Sequence, residues 1–278
     1  MALPAYTTTS EKISYYGLRV FVGAVLLFLI APILSIMPLS FNSETFFSYP
    51  MPGYSTKWYV GEDGFFTSAR WMDALKLSVI VAVATTILST CLGTLAALGL
   101  SRSNIPGRAT IMAVLISPMI VPVIISAIGL FFFYAYVGLN GNLLGIILAH
   151  TALATPFVVI TVTATLMSFD RTLMRAGASC GAPPQTVFFK VVLPLILPGV
   201  ISGALFAFVT SFDEVIVILF IGGPEQRTLP RQMFAGIREQ ISPTITAAAS
   251  VLIVFSTFLL VTVELLRRRG ERLRGIKG

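Results

Sequence analysis

RAGASCGAPPQTVFFKVVLP, residues 175–194, is the stretch on which the reading of this chain turns. It passes from small residues to a proline pair, then to two phenylalanines and a lysine, and it restarts a hydrophobic block at Leu193-Pro194. Ala176, Gly177, Ala178, Ser179, Gly181 and Ala182 give a helix a bare face that another protein's backbone can approach closely. Pro183 and Pro184 end that helix, because neither has an N–H to donate and each restricts the residue before it. A second short helix from Gln185 would gather Val187, Phe188, Val191 and Val192 on one apolar face. The expected shape is a pair of short helices at an angle, suited to docking. A plain connector packed on its own bundle is the alternative.

What surrounds the stretch is very apolar. Of 278 residues, 56% are hydrophobic and 11% charged, against roughly 25% charged in soluble domains. An all-α, polytopic membrane protein follows. Crossing the hydrocarbon takes about 20 apolar residues, and six blocks are long enough: Val20 to Leu39, Leu77 to Leu100, Ala109 to Val137, Leu143 to Met167, Leu195 to Ile221 and Thr246 to Leu266. This divides the chain into a first segment with its span and outer loop (1–76), a five-helix core (77–266) carrying a loop at 171–194, and a basic tail (267–278). The first apolar run is longer than a signal h-region and has no small-residue cleavage site, so it reads as a retained span. Prolines inside the blocks, at 32, 118, 122, 156 and 198, would kink or loosen their helices.

Charge placement sets the orientation. With the N-terminus inside, 13 of the 19 basic residues fall in inner segments and 6 (Lys57, Arg70, Lys76, Arg227, Arg231, Arg238) in outer ones. Positive residues are retained on the cytoplasmic side, so both termini are expected there. The net charge of +7 would raise nucleic acid as a partner in a soluble chain. Here the RRRGERLRGIKG tail follows a span directly and reads as an anchor against anionic lipid. The two cysteines, Cys91 in an apolar block and Cys180 in the loop, form neither a disulfide framework nor a metal-binding pattern.

Asp213 and Glu214 interrupt the fifth block, and a carboxylate at bilayer depth must face water, a cavity or a partner. Nineteen residues beyond Pro194, Asp213 lies about 28 Å along a helix, in the outer part of the membrane. Adjacent residues point about 100° apart, so Asp213 is expected toward a translocation path and Glu214 at a subunit contact or gate. Satisfaction of backbone or Arg groups at an interface is the competing account of both. Tyr134 and Tyr136, in the aromatic run that closes the third block, are path candidates where ring faces meet cations, or members of an interfacial belt. His150, the one histidine, reads as a hydrogen-bonding packer, with a proton relay as the alternative.

The loop also carries a resemblance. It is similar to the cytoplasmic loop of permease subunits of binding-protein-dependent ABC importers of the type I (methionine-permease-like) fold, which reads Glu-Ala-Ala, three residues, Gly, nine residues, Ile, one residue, Leu-Pro. Arg175-Ala176-Gly177 stands at the first triplet, Gly181 follows after three residues, and nine more lead to Val191, Val192 and Leu193-Pro194. The departures are Arg for the acidic first residue and Gly for the second Ala. The resemblance runs from about Leu77 to Leu266, and AHTALATPFVV (149–159) and SFDEVIVILFIGGP (211–224) look most like the polyamine-moving subgroup. It implies a transporter subunit rather than an enzyme, with Arg175, Ala176, Gly177, Gly181, Ala182, Phe188, Val191, Leu193 and Pro194 coupling to an ATPase. The implied partners are two ATPase subunits, which would bind the ATP and magnesium, a second permease, a periplasmic solute-binding protein and the lipid bilayer. The chain itself has no GxxxxGK[ST] phosphate loop, and no cofactor or metal is expected in it.

Overall fold

A computed structural model describes residues 8–101, 105–167, 169–239 and 242–273. These form two compact units, 8–68 with 242–253 and 69–239 with 254–273. Regular structure among the described residues is helical, apart from a single bridge pairing Asn42 with Tyr54.

In the first unit, α1 (Thr9–Leu39) opens on a capping box, with Thr8 and Glu11 satisfying each other's backbone N–H groups. At 31 residues it is about 46 Å long, more than a bilayer core needs, and none of its residues is buried. After it, the chain folds over a short helix, α2 (Lys57–Val60). Ser40 Oγ and the Tyr59 hydroxyl lie 2.6 Å apart, Trp58 Nε1 donates to the Asn42 carbonyl at 2.7 Å, and the Phe41 and Tyr59 rings stack at 5.0 Å.

The second unit is built on three long helices: α3 (Ala69–Leu100), α6 (Leu143–Met167) and α9 (Leu193–Asp213). Between α3 and α6 lie α4 (Arg108–Ile120) and α5 (Val123–Val137). The long helices meet at small residues. A Cβ added to Gly93 on α3 would fall 2.7 Å from Val158 Cβ on α6, and one added to Gly203 on α9 would fall 2.9 Å from Val158 Cα. Close backbone approach of this kind replaces the hydrophobic driving force that lipid removes.

The order of contacts fixes their directions. Val81 shares a buried cluster with Ile146, and Ala97 shares the second cluster with Val162 and Leu166, so α3 and α6 run parallel. Gly199 packs on Thr165, Gly203 on Thr161 and Ser211 on His150, so α9 runs against both. Parallel α3 and α6 require the chain between them to recross the membrane. That crossing is the pair α4 and α5, which bend by 101°. The predicted single span from Ala109 to Val137 is therefore corrected to a broken one. At Val121 the backbone is extended (ψ 133°), as the ring of Pro122 demands of the residue before it. Counted as one span beside the five unbroken apolar helices, the broken pair brings the candidate crossings among the described residues to six.

The fifth block also departs from expectation. Helix α9 stops at Asp213, Glu214 is extended (ψ 121°), and α10 (Ile216–Ile221) starts anew. An amphipathic helix, α11 (Leu229–Glu239), follows, and α12 (Pro243–Leu273) starts in the first unit and ends in the second. The backbone of the expected basic tail is helical to Leu273, while 274–278 and the side chains from 266 onward lie outside the described residues.

Candidate functional site

The segment after α6 starts with a local lock. Asp170 accepts the Thr172 N–H at 2.9 Å and the Thr172 hydroxyl at 2.7 Å, and these bonds hold its carboxyl below the usual carboxylate range. They start α7 (Thr172–Ser179). Along α7 only Gly177 is drawn inward: it lies over Val187, and an added Cβ would come 3.2 Å from Val187 Cγ2.

Helix α7 ends in a Schellman motif. Gly181 N–H reaches the Ala178 carbonyl at 2.9 Å and Ala182 N–H reaches the Gly177 carbonyl at 3.2 Å. Gly181 has φ +79°, the left-handed conformation that such a cap needs, while a Cβ there would meet nothing within 4 Å. The sequence reading took Gly181 as one of several small residues on a bare face. What the position demands is a backbone conformation, and the sequence signal was glycine two residues before a proline.

Pro183 is extended (ψ 156°) ahead of Pro184, which opens α8 (Pro184–Val187) at the position where a missing N–H costs nothing. A π-helical turn over Phe188–Val192 joins α8 to α9. The expected second short helix is thus no separate element but the start of a 30-residue rod from Pro184 to Asp213. Val187 and Val192 are buried, and Ala182, Phe188, Val191 and Leu193 pack half-buried against the same cluster, with Ala97, Leu166 and Ile196. The predicted apolar face is therefore present. Arg175, Ala176, Gly181 and Pro194 are exposed, whereas Gly177, Ala182, Phe188, Val191 and Leu193 turn inward. The exposed ring is Phe189, 63% open, and Leu173 and Met174 add apolar surface on α7.

At the other end of the rod, the path candidates separate. Asp213 is exposed as the last residue of α9, and among the described residues no hydrogen bond or ion pair engages its carboxylate. Glu214 Oε1 accepts the Val217 N–H at 2.9 Å, so it caps α10 across the break. Tyr134 is 5% exposed within the cluster of Val81, Ile146 and Val217, while Tyr136 is 91% exposed. Residues two apart on a helix point to opposite sides, so the two tyrosines line no common surface. His150 Nδ1 lies 2.9 Å from Ser211 Oγ in the buried interior and ties α6 to α9 two residues before Asp213. Among the described residues no three His, Cys, Asp or Glu side chains group as metal ligands.

Parallel and antiparallel apolar helices with a capped, outward helix pair at one end define a polytopic membrane protein built around an exposed helical loop. The chain belongs to the binding-protein-dependent transport system inner membrane components, whose family model matches residues 89–272. It is a transport permease of the inner membrane rather than an enzyme. It is 30% identical to the spermidine/putrescine transport system permease protein PotC of Haemophilus influenzae over 251 residues, covering 90% of this chain and 96% of that one. It is 32% identical to the putrescine transport system permease protein PotI of Escherichia coli K12, over 81% of this chain and 82% of the relative. Its fold matches a bacterial ABC transporter involved in import of the acidic polysaccharide alginate, at TM-score 0.72 and 16% identity, covering 95% and 99% of the two chains.

Proposed function

We propose that the chain is one permease subunit of an ATP-driven importer for polyamines, working by alternating access with a second permease, two ATPase subunits and a periplasmic binding protein. ATP and magnesium act in the ATPases. Both termini face the cytoplasm, and so does the segment 171–194.

The observation that carries this reading is mechanical. Helix α7 is fixed by the Gly181 cap, leans on Val187 through Gly177, and joins a rod running unbroken to Asp213. A push on its exposed face from an ATPase is delivered about 45 Å away along 30 residues. Arg175, Ala176, Phe189 and Leu173 present the surface that would be pushed. Asp213, open at the far end of the rod, draws ammonium groups by opposite charge, and Glu214 holds the broken end in shape.

The test is the ATPase rate of the whole complex with its binding protein, in lipid, against polyamines, amino acids, sugars and oxyanions. Stimulation by spermidine or putrescine is expected. Stimulation confined to another class overturns the substrate, and failure to assemble with any ATPase overturns the importer.

A further inference from the structure

The end of the second unit opposite residues 171–194 holds a feature that the transport reading does not use. There Leu229 N–H donates to Ser78 Oγ at 2.7 Å, seating α11 near the start of α3, and Gly141 N–H reaches the Ile221 carbonyl at 2.8 Å. Between α10 and α11 lies a cavity of about 320 Å³ lined by Leu219, Arg227, Arg231, Phe234, Ala235 and Arg238. Along α11, Arg231, Phe234 and Arg238 recur at three- and four-residue spacing, and Arg227, in the turn just before the helix, lines the same cavity, so three guanidiniums share one hollow.

The three are held in place by backbone carbonyls and a ring. One Arg231 terminal nitrogen donates to Gly223 O at 2.7 Å and to Gln226 O at 2.9 Å, Arg227 Nε donates to Pro224 O at 3.2 Å, and Arg238 sits 5.9 Å from the centre of the Phe234 ring. Each guanidinium has five N–H donors, so these contacts leave most of their capacity unspent. Among the described side chains no carboxylate pairs with them, the one ion pair there being Lys76 with Asp73 on α3. Burial, and then the charge of Arg227, hold Arg231 below the usual arginine range. Gathering three like charges is costly unless an anion completes the group.

We propose that this pocket captures acidic side chains of the soluble binding protein, the carboxylates seating in the Arg227, Arg231 and Arg238 forks as the solute is delivered. Planar guanidinium forks suit carboxylates in two-bond geometry. A polyamine is repelled by this pocket, so it is not a solute site on the polyamine reading, and the occupant must be anionic and reach it from water. The proposal rests on the importer reading, which places this end on the binding-protein side.

The experiment uses the complete complex in nanodiscs and measures its affinity for the spermidine-loaded binding protein that stimulates it, at low and at high salt. Arg227→Glu with Arg238→Glu should weaken binding about thirtyfold at low salt and far less at high salt, as screening removes the repulsion. The double Lys variant should stay within about threefold, because it keeps the charge. Arg231 is left intact because it pins residues 223–226. Binding of the double Glu variant within about twofold of wild type overturns the proposal. So does unchanged binding joined to a thermal shift by phosphatidylglycerol or inorganic phosphate that only wild type shows, which assigns the pocket to lipid headgroups or free anions. Failure of the wild-type chain to assemble with any ATPase sinks the importer reading itself and the proposal with it.

Discussion

The two ends of the second unit are built on opposite plans. At the 171–194 end every element is tied to the next: Asp170 to Thr172, Gly177 to Val187, Gly181 and Ala182 to the last carbonyls of α7, and the π-helical turn straight into α9. At the other end the helices are cut. There α9 breaks at Glu214 before α10, and partway toward that end the crossing of α4 and α5 bends at Pro122. The contrast teaches that one end is rigid enough to pass a displacement on, whereas the other supplies joints at which the displacement can open a path.

The largest test of that contrast falls on the rigid end. Gly181→Val should abolish stimulated uptake, at least about tenfold down, with protein still in the membrane, because a β-branched residue is a severe outlier at φ +79°. Gly181→Asn, which tolerates that conformation, should keep most of the activity. Equal loss in both variants would show that bareness rather than backbone shape is what the position supplies. Next comes the jointed end, where Asp213→Asn should lower uptake of a cationic solute about three- to tenfold without changing assembly. An unchanged transport rate would remove Asp213 from the path.

Smaller still is Glu214→Ala, which strips the acceptor from the Val217 N–H and should cost about 1 kcal/mol, a Tm fall of about 2–4 °C. Glu214→Gln keeps an acceptor and should fall less. If the two variants drop together, Glu214 acts by its charge rather than as a cap. Smallest is Gly177→Ala. The added Cβ would press Val187 by a few tenths of an ångström while improving helix propensity, so uptake within about twofold of wild type is expected. A large loss would show that the lean of α7 on α8 is set to finer tolerance than the contacts indicate.

The apolar blocks, the six crossings and the register of the loop were legible because they depend on length, composition and spacing. The breaks were not. Pro122 splits its crossing, yet Pro156 sits inside an unbroken α6 and Pro198 inside α9, so a proline in an apolar run does not by itself say whether the helix survives. Packing decides, and α6 is the most enclosed helix of the unit. Glu214 was expected at a subunit contact or gate, and its capping bond to Val217 could not be foreseen because it exists only once α9 is known to stop beside it. Tyr134 and Tyr136 were grouped by nearness in sequence, whereas helical geometry sends one into the core and the other outward.

The π-helical turn gives the loop spacing a meaning of its own. A π turn accommodates one residue more than the α-helical turn it replaces. The nine residues between Gly181 and Val191 therefore include one that a regular helix would not need. Each residue of an α-helix carries about 100° of rotation. Removing Lys190, exposed within that turn, would leave composition and hydropathy almost untouched while swinging α7 around the axis of α9 by about that angle, as a gear tooth removed shifts the phase of everything driven through it.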